Sequence, residues 1–255
     1  MNKVLIIAVL AGLGSGCTTI VSNATSGFTE NLTSAVLNQD DPELVRDGVP
    51  TLLLTEGSPD SPKLLAAGAK LYATYGAVFA TDSVRASRLT RRARGYGYSA
   101  ICETYAPSCA WPDATYDEFM ASLDGVGPKQ ADALYAYGFS SLAFLRAHSS
   151  DWNSLAELPQ IEALLNHYLE ISGDDVDSSV YTFMGILLTL RPPALGGEPE
   201  RARQFFELAI AESAGKDLSA KVEFAKSYAK LLYERELHDQ LLNEVLQADP
   251  YQDGY

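Results

Sequence analysis

After residue 38 the apolar positions return every three or four residues, and no convincing alternating run of Val, Ile and Thr interrupts them. That spacing predicts helices almost throughout, with turn signals falling between segments of helical length. In PDSPKLLAAGAKLYATYGAVFATD, Leu65, Gly68, Tyr72, Tyr75 and Phe79 make one apolar stripe. Ala66, Ala67, Ala69, Ala73, Gly76 and Ala77 fill much of the remaining surface, small enough to let neighbouring helices approach closely. Asp82 begins a second helix whose stripe is Ala86, Leu89, Ala93 and Tyr96. TYDEFMASL and KQADALYAYGFSSLAFLRAH are also helical and flank LDGVGPKQ. There Gly125 and Gly127 make a tight turn, and Pro128 takes a first helical position, where a missing N–H costs nothing.

The clearest repeat is SSVYTFMGILLTLRPPALGGEPERARQFFELAIAES. Tyr181, Met184, Gly185 and Leu188 suit the first helix of a tetratricopeptide-like pair, and Gly197, Ala202, Phe206 and Ala209 have the offsets 0, 5, 9 and 12 of its turn and second helix. The RPPALGG connection is about five residues longer than the standard repeat allows, and such loops often carry function. Val180 to Leu190 is apolar on nearly every side and is expected to be a central, buried helix. Two segments close alike, LLNHYLEISGD at Leu164 to Asp174 and LLNEVLQADPY at Leu241 to Tyr251, with Pro250 ending the second. The fold class predicted is all-α: three or four degenerate tetratricopeptide-like helix pairs stacked into an α-solenoid.

The first residues differ in kind. MNKVLIIAVLAGLGSGCTT has a basic Lys3, a ten-residue apolar run from Val4 to Leu13, and small residues leading to Cys17. The run falls short of the ~20 residues that span a bilayer and suits an export signal. It resembles a bacterial lipobox with Gly14 where Leu is preferred; the alternative is an ordinary cleaved signal with an incidental cysteine. Residues 1–16 are therefore expected to be a lipoprotein signal peptide, 17–38 a lipidated Cys17 and polar tether, and 39–255 one helical domain. Thr18 after Cys17 favours the outer membrane by the usual sorting rule. The acyl chains would attach stably, since each buried methylene contributes ~0.8 kcal/mol and two or more chains suffice.

Charge removes one function class. Lys and Arg total 19 against 33 Asp and Glu, a net charge of −14, or about −15 once Lys3 leaves with the signal. Nucleic-acid binding depends on neutralising phosphates, so the glycine turn at 125–127 is expected to be a plain helical hairpin rather than a DNA-binding one. Arg88, Arg91, Arg92 and Arg94 are expected to form a solvated face. His148, His167 and His238 lie on separate segments without ligand spacing, so no metal is expected. Asp174, Asp175 and Asp177 lack the glycine and distal glutamate of a calcium loop. The sequons at Asn23 and Asn31 are chance matches beside a lipobox. No phosphate loop, dinucleotide fingerprint or nucleophile elbow is present, so neither enzyme activity nor a cofactor is expected. Cys102 and Cys109 either form a disulfide, with Pro107 ending the helix between them, or stay as two buried thiols.

LVRDGVPTLLL and SPDSPKLLAAGAKLYATYGAVF resemble the start of the TatT family, tetratricopeptide-like T components associated with TRAP transporters. The resemblance continues through SSDWNSLAELPQIEALLNHYLEI, VYTFMGILLTLRPPALGGEPERARQFFELAIAES and DLSAKVEFAKSYAKLLYERELHDQLLNEVLQADP, and is poor over residues 96–130. It implies a periplasmic lipoprotein, a homotrimer, and association with the soluble solute-binding P component. It further implies a cleft that takes a hydrophobic small molecule. Tyr72, Tyr75, Phe79, Tyr135, Tyr181 and Phe183 are the candidate wall of that cleft, and Arg191, Pro192, Pro193, Leu195 and Gly196 the candidate functional loop. The alternative function is a helical-repeat lipoprotein that scaffolds an envelope complex without a small ligand.

Overall fold

The structure is a computed structural model and describes residues 42–55, 61–173 and 176–249. The signal, Cys17, the tether, both sequons, Asp174, Asp175 and Pro250 lie outside the described residues. Within them there are eleven α-helices and no strand. In chain order these are α1 (Pro42–Thr55), α2 (Pro62–Val78), α3 (Ser83–Thr104), α4 (Tyr116–Leu123), α5 (Ala131–Ala147) and α6 (Trp152–Leu155). There follow α7 (Leu158–Ser172), α8 (Ser179–Thr189), α9 (Pro199–Glu212), α10 (Leu218–Glu223) and α11 (Arg235–Gln247). The all-α, solenoid-like expectation holds.

Local sequence sets where these helices begin. The Asp82 carboxylate accepts from the Arg85 N–H at 2.7 Å and caps α3. Thr115 and Glu118 cap α4 reciprocally, with the Thr115 N–H donating to the Glu118 carboxylate at 2.8 Å. Asp217 does the same for α10 through the Ser219 and Ala220 N–H groups. Each such cap satisfies donors that a helix start leaves unpaired. At the glycine turn Pro128 opens a 3-10 turn, Pro128–Gln130, that leads directly into α5. Gly125 is needed there for closeness: an added Cβ would collide with the Tyr105 hydroxyl, which donates to the Ser122 carbonyl.

Helices α2 and α3 form the first antiparallel pair, and α5 lies against both. Gly97 marks the α3–α5 crossing, where a Cβ would stand 2.8 Å from the Tyr137 Cα. Helix α7 packs on α5, and α8 joins this half to α9 and α10. At the α8–α9 crossing Gly185 faces the ring of Phe206, which a Cβ would meet at 2.7 Å. Between Val180 and Thr189 every residue is buried except Tyr181 and Phe183, so α8 is the central helix its composition predicts. One hydrophobic core runs through both halves, and a smaller cluster around Val49, Leu71, Ala73, Ala93 and Ala143 holds α1 to the α2–α3 corner.

Two features depart from the sequence expectation. Helix α10 runs on as a π-helical turn, Phe224–Ala229, closed by the Lys230 N–H on the Ala225 carbonyl at 3.0 Å. The arginines of α3 are not all solvated. Arg94 is largely buried, ion-paired with Glu157, and its guanidinium lies 4.9 Å from the Phe144 ring centre. Arg92 lies 5.6 Å over Tyr72 and, like Arg88 and Arg91, is exposed.

Candidate functional site

Helix α5 carries aromatic residues on two faces. Tyr135 and Phe139, four positions apart, share one face, and Tyr137 is turned by ~200° to the other. On the first face the rings stack into a column: Tyr135 lies 4.9 Å from Tyr168 of α7, and Phe139 lies 4.7 Å from Phe183 of α8, with Tyr135 and Phe183 6.1 Å apart. The Tyr135 hydroxyl is bonded to Ser179 Oγ at 2.6 Å. Burial, and then the nearby Asp177 carboxylate, push that hydroxyl well above its ordinary pKa, so it stays neutral. The Lys70 ammonium sits 5.7 Å from the Tyr135 ring centre while bonding Asp132 at 2.8 Å. Phe139 and Phe183 are half-buried and give the column an accessible apolar side.

The sequence-predicted wall residues fall into two groups. Tyr135 and Phe183 belong to the column, whereas Tyr181, two positions before Phe183 on α8, is turned by ~200° to another face, where it is half-buried. Tyr72 and Tyr75 are buried in the α1–α2–α3 corner, where Tyr72 lies 5.5 Å from Tyr96 and Tyr75 5.5 Å from half-buried Phe79. Arg85 covers the Tyr75 ring at 5.4 Å as Arg92 covers Tyr72. Phe139, absent from the predicted set, packs against both groups and joins them. Tyr168 was also missed. Both lie on helical stripes, and no feature of the sequence says which stripes face one another.

The RPPALGG loop is a self-bonded turn. The Leu195 and Gly197 N–H groups both donate to the Pro192 carbonyl, and Glu198 N–H donates back to Leu188 at 2.9 Å. Gly196 has φ +86°, the left-handed region that glycine tolerates, and a Cβ on Gly197 would strike the Arg191 carbonyl. Pro192, Pro193, Leu195 and Gly196 are exposed and Arg191 is half-buried. Their shape is therefore fixed while their side chains face solvent.

On the other face of α5 is a partly open cavity of about 500 Å³ that the sequence did not announce. Its walls come from α3, α4, α5, α7 and the 3-10 segment Ala106–Asp113. Trp111 lies near-parallel to Tyr137 at 5.9 Å and edge-on to Phe119 at 5.0 Å. A disulfide, Cys102–Cys109 with a Cα separation of 4.7 Å, ties the segment bearing Trp111 to the end of α3. The Tyr98 hydroxyl donates to the Cys109 carbonyl at 2.6 Å.

The three histidines are engaged in structure: His148 bonds Ser87 Oγ and the Phe144 carbonyl, His167 the Val126 carbonyl, and His238 its neighbour Asp239. Among the described residues no helix is long and apolar enough to cross a membrane.

The sequence profile of the TAtT family, TRAP transporter T-component, matches residues 38–254. The chain belongs to this family. No match was found among curated proteins. As a T-component the chain is an auxiliary part of a TRAP transport system, and the match includes the 96–130 region, where the quoted motifs were poor. The column, the loop and the cavity all lie within the matched residues.

Proposed function

We propose that this T-component is a periplasmic lipoprotein, anchored to the outer membrane through acylated Cys17. In this reading it docks the solute-binding P component of its TRAP system, as an oligomer, and takes up an apolar small molecule without catalysing a reaction. The observation that carries the ligand part is the column Tyr168–Tyr135–Phe139–Phe183, in which Phe139 and Phe183 remain half-buried while Tyr135 and Tyr168 are buried. An apolar solute that covers those rings gains ~25 cal/mol per Å² removed from water, so binding needs no charged anchor. The exposed, rigid RPPALGG turn suits a protein contact, with Leu195 as its apolar tip.

Native mass spectrometry of the protein purified from its own cells tests both parts. The expected spectrum contains a co-purifying apolar molecule that Phe139→Ser with Phe183→Ser removes. Leu195→Asp is expected to weaken capture of the P component while leaving that molecule bound. An empty wild-type protein that still binds envelope proteins contradicts the ligand reading and favours a scaffold.

A further inference from the structure

The cavity behind Tyr137 differs from the column in charge as well as in place. Two arginines and one glutamate line it. Glu157 is committed to Arg94, whose guanidinium also faces the Tyr137 hydroxyl. Arg91 makes no hydrogen bond or ion pair among the described residues, and neither does the side-chain amide of Gln160, which lines the same cavity. The lining therefore carries a net charge of +1 in a chain of −14. The apolar part of the lining is formed by Trp111, Tyr137, Phe119 and Ile161, each nearly fully buried. The indole N–H of Trp111 is already taken by Ser122 Oγ at 3.0 Å, so the ring presents no free donor to the cavity. A volume of about 500 Å³ lies within the ~300–1,000 Å³ typical of small-molecule sites, and few, well-placed polar groups on apolar walls are their usual composition.

We infer that this cavity binds a small organic carboxylate with a planar apolar body. The ring lies against Trp111 and Tyr137, and the carboxylate meets Arg91 in a charge-assisted hydrogen bond, with Gln160 as a second donor. Both the ligand class and the lining residues differ from those of the aromatic column, so the inference stands or falls apart from the apolar-ligand reading. Gly95 of α3 is at the rim and has open space where a side chain would be, which leaves the approach to Arg91 clear.

Titration calorimetry of the full folded chain with 3-phenylpropionate and its neutral isostere 3-phenylpropanamide tests the charge requirement. The acid is expected to bind roughly tenfold more tightly than the amide, the effect of one hydrogen bond to a charged group. Arg91→Gln is expected to abolish that preference and leave amide affinity within about twofold; Arg91 is exposed, so the substitution spares the core. In Trp152→Phe, which leaves Trp111 as the one tryptophan, its indole N–H resonance is expected to shift saturably with the acid. Phe183→Ala, which tests the column, should leave acid binding intact. Equal affinity for acid and amide overturns the inference, as does unchanged acid binding in Arg91→Gln. No saturable binding of either compound, a Trp111 resonance that stays still, or loss of acid binding in Phe183→Ala would overturn it as well.

Discussion

Helices α7 and α11 carry closely related segments, LLNHYLEI at Leu164–Ile171 and LLNEVLQA at Leu241–Ala248, yet their surroundings differ sharply. In α7 Leu164 and Leu165 are fully buried and Tyr168 joins the aromatic column. In α11 Leu241 is buried, Leu242 half-buried, and Leu246 is 81 % exposed. The local period is the same in both, so both are helices with an inward stripe. Burial depends on how many neighbours a helix has. Helix α7 has α4, α5 and α8 against it, whereas α11 rests mainly on α10 and the π-helical turn and turns Glu236, Asp239, Asn243 and Glu244 to solvent. Degenerate repeats thus encode the hairpin in each copy and the position in the stack only through small differences of polarity.

Leu164→Ala should break this comparison most severely, lowering unfolding free energy by ~2–5 kcal/mol in urea denaturation, because its side chain is fully buried in the core. An equal loss for Leu242→Ala, half-buried where its counterpart Leu165 is fully buried, would contradict the contrast between the two helices. Replacing both Cys102 and Cys109 by Ser should cost about 2.5 kcal/mol by loop entropy and weaken the near-ultraviolet dichroism of Trp111, which the bridge holds in place. Gly185→Ala should cost ~1–3 kcal/mol through overpacking. The ring it would press is pinned between α8 and Phe224, to which Phe206 stacks at 5.1 Å. Leu246→Ala should change stability by no more than ~0.5 kcal/mol, the range of an exposed site.

Much of the fold was legible because its cues are local. The offsets Gly197, Ala202, Phe206 and Ala209 place α9 against α8, and Asp82 marks a helix start. The π-helical turn at Phe224–Ala229 was not, since its composition is that of an ordinary helix. The candidate site was half legible. Periodicity picks out Tyr72, Tyr75, Tyr135 and Phe183 as apolar positions, but whether two stripes meet is a matter of tertiary packing, and the joining Phe139 sits on a stripe of its own helix like any other. The cavity gave no signal because its walls come from five elements, one of them the irregular 3-10 segment around Trp111. Arg94 shows the same limit: a charge on a helix reads as solvated until Glu157, 63 residues away, is found beside it.

The most direct test of the central claim is sedimentation velocity of this T-component mixed with the solute-binding P component of its own TRAP system. The account predicts a faster-sedimenting complex whose population falls with Leu195→Asp and persists with Arg91→Gln. Independent sedimentation of the two proteins at every concentration would contradict it.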